Sequence, residues 1–160
     1  MAHPQHETLR QLFQFRCGYC GTSEQQAGGE LTVDHFQPLS AEGSDSLENL
    51  VYACFRCNLY KSDFWSGSVP ESQQRVLHPY RDTLESHYVL ERSTGLLIAL
   101  TPTGEFHIAL LHLNREALIL RRREEATQLA YQNLLEEMIV RQRELIQLYE
   151  ERLGFLEENQ

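Results

Sequence analysis

The sequence predicts an α+β fold, with a small mixed core over residues 1–65 followed by a β-hairpin and a long helix. Three observations carry this. Short alternating β-branched runs stand beside helix-type periodicity in the first 65 residues. All four cysteines of the chain fall in that stretch, as two C-x-x-C pairs. From Arg115 to about Leu153, apolar residues recur near the helical period.

The elements follow in order. Residues 5–15 place Leu9, Leu12 and Phe13 on one face and predict a short helix. Cys17-Gly-Tyr-Cys20 reads as a tight turn. Leu31 to Phe36 alternates and predicts a strand, and Pro38 to Asp45 reads as a loop. A second short strand or turn covers Asn49 to Ala53, and Phe55 to Phe64 predicts a helix. Residues 66–82 read as a linker, with Gly67, Pro70 and Pro79 as breakers. Residues 83–160 then form the extension. His87–Glu91 and Leu96–Leu100 flank Ser93-Thr-Gly95 as a hairpin. Thr103 is placed to cap a helix through His112, and Asn114 to cap the long one. Leu135, Met138, Leu145, Ile146, Tyr149 and Leu153 form its apolar stripe. The stripe packs on the preceding hairpin or serves as a seam for self-association or a protein partner.

The composition narrows the function. The chain has 160 residues, a net charge of −9 and a pI of about 5.2. An acidic total argues against a protein that coats nucleic acid nonspecifically, although a local basic patch suffices to grip phosphate. The acidity is shared, with a net −4 over residues 1–82 and −5 over 83–160. No run approaches the roughly 20 apolar residues of a membrane span. Met1 to Arg16 has no apolar signal core, so the expected compartment is the cytoplasm, where thiols stay reduced.

Under reducing conditions the two pairs, Cys17/Cys20 and Cys54/Cys57, predict a structural zinc site. Four thiolates close the tetrahedral shell, so this ion would tie the two pairs together without activating water. Thirty-three residues separate the pairs, a long interval for a simple zinc ribbon. Within or beside that interval lie Asp34-His35 at a strand end, Asn49 just before Leu50-Val-Tyr-Ala-Cys54, and Asn58 and Lys61 on the helix.

This ordered set resembles the HNH endonuclease motif in its four-cysteine form. The matching runs are Cys17-Gly-Tyr-Cys20, Leu31-Thr-Val-Asp-His-Phe-Gln-Pro-Leu-Ser40, Gly43, Asp45-Ser46, Glu48-Asn-Leu-Val51 and Cys54-Phe-Arg-Cys-Asn58 with Lys61. Leu77-His-Pro-Tyr80, Leu100-Thr-Pro-Thr-Gly104 and Leu113-Asn-Arg115 more weakly resemble an extension found in some HNH proteins. The resemblance implies a ββα-metal core around one catalytic divalent ion. It implies His35 as general base, Asp34 and Asn58 as ligands of the ion, and Asn49 as the residue that holds the loop aiming the histidine. Many members have histidine where this chain has Asn58. An amide there makes an oxygen-liking ion, magnesium or manganese, the expected one.

The chemistry is consistent with that assignment. A phosphodiester repels nucleophiles with its anionic oxygens, and a bound cation offsets that charge. An imidazole whose unperturbed pKa lies near 6.5 can take a proton from water. Arg56 and Lys61 are the expected phosphate contacts. Arg115 and Arg121–Arg123 form a second basic cluster, which either contacts a DNA backbone or pairs with Glu116, Glu124 and Glu125. The other six histidines read as structural or solvent-facing, with His3 and His6 in a frayed terminus. A zinc deaminase is excluded, because His35 is followed two places on by Gln37 and Cys54 is preceded by Ala53. The expected function is metal-dependent cleavage of DNA. The alternatives are a non-cutting module that binds DNA or protein, or a nuclease subunit recruited by a larger defence or repair assembly.

Overall fold

Residues 3–67 and 73–158 are described by a computed structural model. Helix α1 (His6–Leu12) buries Leu9 against a two-stranded antiparallel sheet of β1 (Thr32–His35) and β2 (Leu50–Ala53). The register pairs Asp34 with Val51 and His35 with Leu50. Every residue of β2 is buried, because this strand has core on both faces. Helix α3 (Phe55–Lys61) follows directly and buries Cys57 and Lys61, four residues apart on one face. Between α1 and β1 lies a single turn absent from the sequence reading, α2 (Glu24–Ala27). Ser23 and Gln26 cap it reciprocally. Arg10 holds Glu24 through two hydrogen bonds of 2.6 and 2.9 Å, and the Tyr52 hydroxyl donates to the same carboxylate.

The segment read as a linker is packed where it is described. Residues 68–72 lie outside the described residues, but Val76, Leu77 and His78 are buried. The Leu77 amide donates to His107 Nδ1 at 3.0 Å. Strands β3 (Tyr88–Glu91) and β4 (Leu96–Ala99) form the expected hairpin. Helix α4 (Pro102–Leu110) begins two residues earlier than expected: Thr101 is its cap, accepting from the Gly104 amide, while Thr103 is buried inside the helix. Asn114 does not cap the last helix either. Its side-chain amide is spent on both backbone groups of Leu97, at 2.8 and 2.9 Å.

Helix α5 (Glu116–Glu158) divides into two parts. Its start belongs to the core, since Leu118, with Leu111 and Leu113 just before the helix, joins the same apolar cluster as Leu9, Val51 and Tyr52. Arg122 is buried and donates to the carbonyls of Gly95 and Leu113. Gly95 has a φ of +77°, and a Cβ there would sit 2.5 Å from the Ile119 carbonyl, so glycine permits this docking. From Arg123 onward the helix stands almost wholly in solvent. The stripe of Leu135, Met138, Leu145, Ile146 and Tyr149 therefore does not pack on the hairpin; each residue is exposed, and Leu153 lies outside the described side chains. The hairpin is too short to follow a 43-residue helix. No described helix is long and apolar enough to cross a membrane.

Candidate functional site

The two cysteine pairs meet. Cys17 and Cys20 sit on a turn in which the Gly21 amide donates to the Cys17 carbonyl, and the Gly18 amide donates to Tyr52 on β2. Cys54 and Cys57 span the junction of β2 with α3. All four thiols are buried, unpaired by disulfides, with sulfurs within 4.8 Å of one another. Cys20 and Cys54 sulfurs lie 3.7 Å apart. Arms of 2.3 Å make a tetrahedron with edges of about 3.8 Å, so the cluster can hold a zinc ion. Without a cation the sulfurs compete for protons. Hydrogen bonds with Cys17 push Cys20 well below the ordinary thiol value and Cys54 to about 7, while Cys17 and Cys57 are held high by bonds within the cluster. A dication that takes all four as thiolates removes that conflict.

The extension reaches this cluster. The Arg115 guanidinium lies 3.9–4.0 Å from the sulfurs of Cys20, Cys54 and Cys57. Arg121 donates to the Thr22 hydroxyl at 2.7 Å and to the Cys20 carbonyl at 2.5 Å, and also pairs with Glu125 at 3.6 Å. Arg115, Arg121 and Arg122 are thus chiefly docking residues, neither a free basic patch nor merely partners of glutamates along the helix.

Apart from the cysteine cluster, Asp34, His35 and Asn58 line one cavity of about 390 Å³, with Val33, Ser62 and Asp63. Strand β1 supplies the first two residues. Helix α3 supplies Asn58, whose amide donates to the Thr32 hydroxyl at 3.2 Å. Asp34 is 5% exposed; it accepts from the Tyr19 hydroxyl at 2.6 Å and from Lys61 Nζ at 3.1 Å. Burial pushes its carboxyl above the ordinary aspartate range, against the pull of Lys61 and Tyr19. Asn49 is buried beside the loop that follows β1. Its amide donates to the carbonyls of Gln37 and Ser44 and accepts from the Gln37 amide. Gly43 closes that loop, where a Cβ would lie 1.8 Å from the Gln37 carbonyl oxygen.

Two expectations about individual residues change. Lys61 is not presented to phosphate: it is 1% exposed, and its ammonium also donates to the His35 carbonyl at 2.7 Å. A lysine one helical turn after Asn58 points inward here because Asp34 needs a countercharge. His3 and His6 are not frayed. His6 Nε2 lies 2.9 Å from the Leu31 carbonyl oxygen, and His3 Nε2 lies 3.4 Å from Asp45. Arg56 is exposed, on a separate concavity with Tyr60 and Arg115. Sequence reasoning missed Asp45 and Asp63 as site residues. Asp45 lies 2.7 Å from His35 Nε2, and hydrogen bonds from His35 and then His3 lower its pKa. Its only signal was its place in the motif loop. The signal for Asp63 was its position just past the helix carrying Asn58.

Comparison with known proteins bears on this geometry. Residues 17–64 match the family model described as HNH endonuclease. No curated protein and no solved structure matches the chain. The matched segment contains both cysteine pairs, β1, β2, α3 and the residues that line the polar cavity. Residues 17–64 are therefore similar to the HNH endonuclease family, a likeness that points to a nuclease-type function at the level of that family.

Proposed function

We propose that the chain is a metal-dependent endonuclease that hydrolyses phosphodiester bonds of DNA, working from a ββα-metal core. The observation that carries this reading is the convergence of Asp34, His35 and Asn58 on one cavity. The donor set fits a hard cation: a carboxylate from Asp34, an amide from Asn58 and a second carboxylate from Asp63 in the same cavity, all oxygen. Magnesium or manganese would be held by Asp34 and Asn58. Such an ion offsets the charge of the scissile phosphate and of the leaving oxygen.

The chain's own groups do the rest. The short contact of His35 Nε2 with the Asp45 carboxylate favours the Nε2–H tautomer, which leaves Nδ1 as the basic nitrogen. Nδ1 takes the proton from the attacking water. Asn49 fixes the loop from Gln37 to Ser44, which carries the chain from His35 towards Asp45. Lys61 supplies the countercharge to Asp34 and, through the His35 carbonyl, holds the end of β1. Of the two cations expected at phosphate, Arg56 is the exposed one.

A second reading, a module that binds without cutting, is favoured by one observation: Asp34 is already satisfied by Tyr19 and Lys61. A third, a nuclease subunit within a defence or repair assembly, draws on the acidic total and the exposed apolar residues of α5, which offer a protein partner or a second copy a surface. Plasmid cleavage decides between cutting and mere binding. With magnesium or manganese, wild-type protein should consume supercoiled DNA, and His35→Ala should be slower by about 10²-fold or more at unchanged zinc content. Equal rates in the two proteins would remove His35 from the chemistry.

A further inference from the structure

His35 faces a second set of ligands outside the cavity that holds Asp34 and Asn58. Its Nε2 lies 2.7 Å from Asp45 Oδ1, and the same oxygen lies 3.4 Å from Nε2 of His3. The two imidazoles meet edge to face, with centroids 5.7 Å apart. The three donor atoms lie within 4.8 Å of one another. They come from three separate segments: the N-terminus, the end of β1 and the loop before β2. The N-terminal segment is anchored there independently, because the Gln5 side chain donates to the Asp45 carbonyl at 2.8 Å.

We infer that His3, His35 and Asp45 form a site for a first-row transition ion such as zinc, cobalt or nickel, and that occupying it switches off His35 as a base. Two imidazole nitrogens and one carboxylate oxygen make a donor set for borderline ions rather than for magnesium. Three ligands leave positions for water, as expected of an exchangeable site on a partly exposed surface. Coordination through Nε2 fixes the proton of neutral His35 on Nδ1, the nitrogen that must be bare to accept one from water. On the His3 side, coordination moves the proton to Nδ1 and displaces one 3.2 Å contact with the Gln5 amide. That contact is a weak competitor for a metal–imidazole bond.

The binding half stands without any nuclease activity; the inhibitory half rests on the reading of His35 as the base. The test uses the full chain with its cysteine site filled by zinc. Cobalt(II) is titrated in, followed by calorimetry and by the visible bands of cobalt with nitrogen and oxygen ligands. One further equivalent should bind. Affinity should fall about tenfold or more in His3→Ala and Asp45→Asn and persist in Asn58→Ala. The site is refuted if no further equivalent binds, if the only cobalt signal is thiolate charge transfer, or if Asn58→Ala abolishes binding while His3→Ala does not. In magnesium, added zinc should slow plasmid cleavage by the wild type and leave His3→Ala unaffected; equal inhibition of both refutes the switch. A wild type that never cleaves would instead count against the nuclease reading, while the cobalt titration still decides the site.

Discussion

At the scale of single residues, the structure sorts the polar groups of the motif by what surrounds them. Asn49 makes three hydrogen bonds to the backbone of the loop that follows β1, and in the proposed mechanism it would act on His35 through that loop and not on substrate. Asn49→Ala should therefore lower stability by about 2 kcal/mol, read as a shift in the urea midpoint at constant slope. It should also slow cleavage while leaving zinc bound. His107 is buried, and desolvation depresses its pKa to about 3. His78 is held at about 4, again mainly by burial. Both stay neutral in the fold while the unfolded chain takes up protons near pH 6.5. Their contribution is thus intact above that pH and is lost as pH falls towards 4 and then 3. His107 alone should cost about 1 kcal/mol by pH 5.5. Urea unfolding between pH 7.5 and 5.5 should show this slope, and His107→Asn should flatten it.

At the scale of elements, the ion pair that joins β1 to α3 is Asp34 with Lys61. Both are buried, so removing one partner strands the other as an uncompensated charge. Lys61→Met should destabilise the chain by about 3 kcal/mol, and Asp34→Asn in the same molecule should restore a substantial part of that. Purely additive effects in this double-mutant cycle would show that the two do not act as a unit. The periodicity of α3 marked it as a helix, yet the sequence could not show that Lys61 turns inward while Asn58 meets Asp34 and His35 at the cavity. That division follows from where β1 lies against the helix, a long-range contact.

At the scale of the whole molecule, the cysteine cluster joins the two ends of the domain and also receives the extension. Arg115 and Arg121 dock on it, and Arg122 locks the start of α5 onto the hairpin. Removing zinc with a chelator should therefore unfold more than residues 17–64. Hydrogen exchange should rise together in β1, β2 and residues 116–122. Exchange confined to the two cysteine turns would mean that the extension is held independently. The remainder of α5 makes no such contribution, because its described side chains after Ala126 are exposed. Deleting residues 127–160 should keep the zinc and move the melting temperature by only a few degrees.

Motif spacing by itself determined the four-cysteine cluster, the strand and helix that flank it, the hairpin, and the residues that gather at the cavity. Those features are written in local patterns: paired thiols, alternation, and a fixed order of polar side chains. Tertiary structure alone decided the rest. It packed the supposed linker, spent Lys61 on Asp34, turned the arginines of the extension onto the cysteine turn, and brought His3 to His35. In each case a charged or polar group found its partner far along the chain, and the need to satisfy a buried or clustered charge overrode what its neighbours in sequence would suggest.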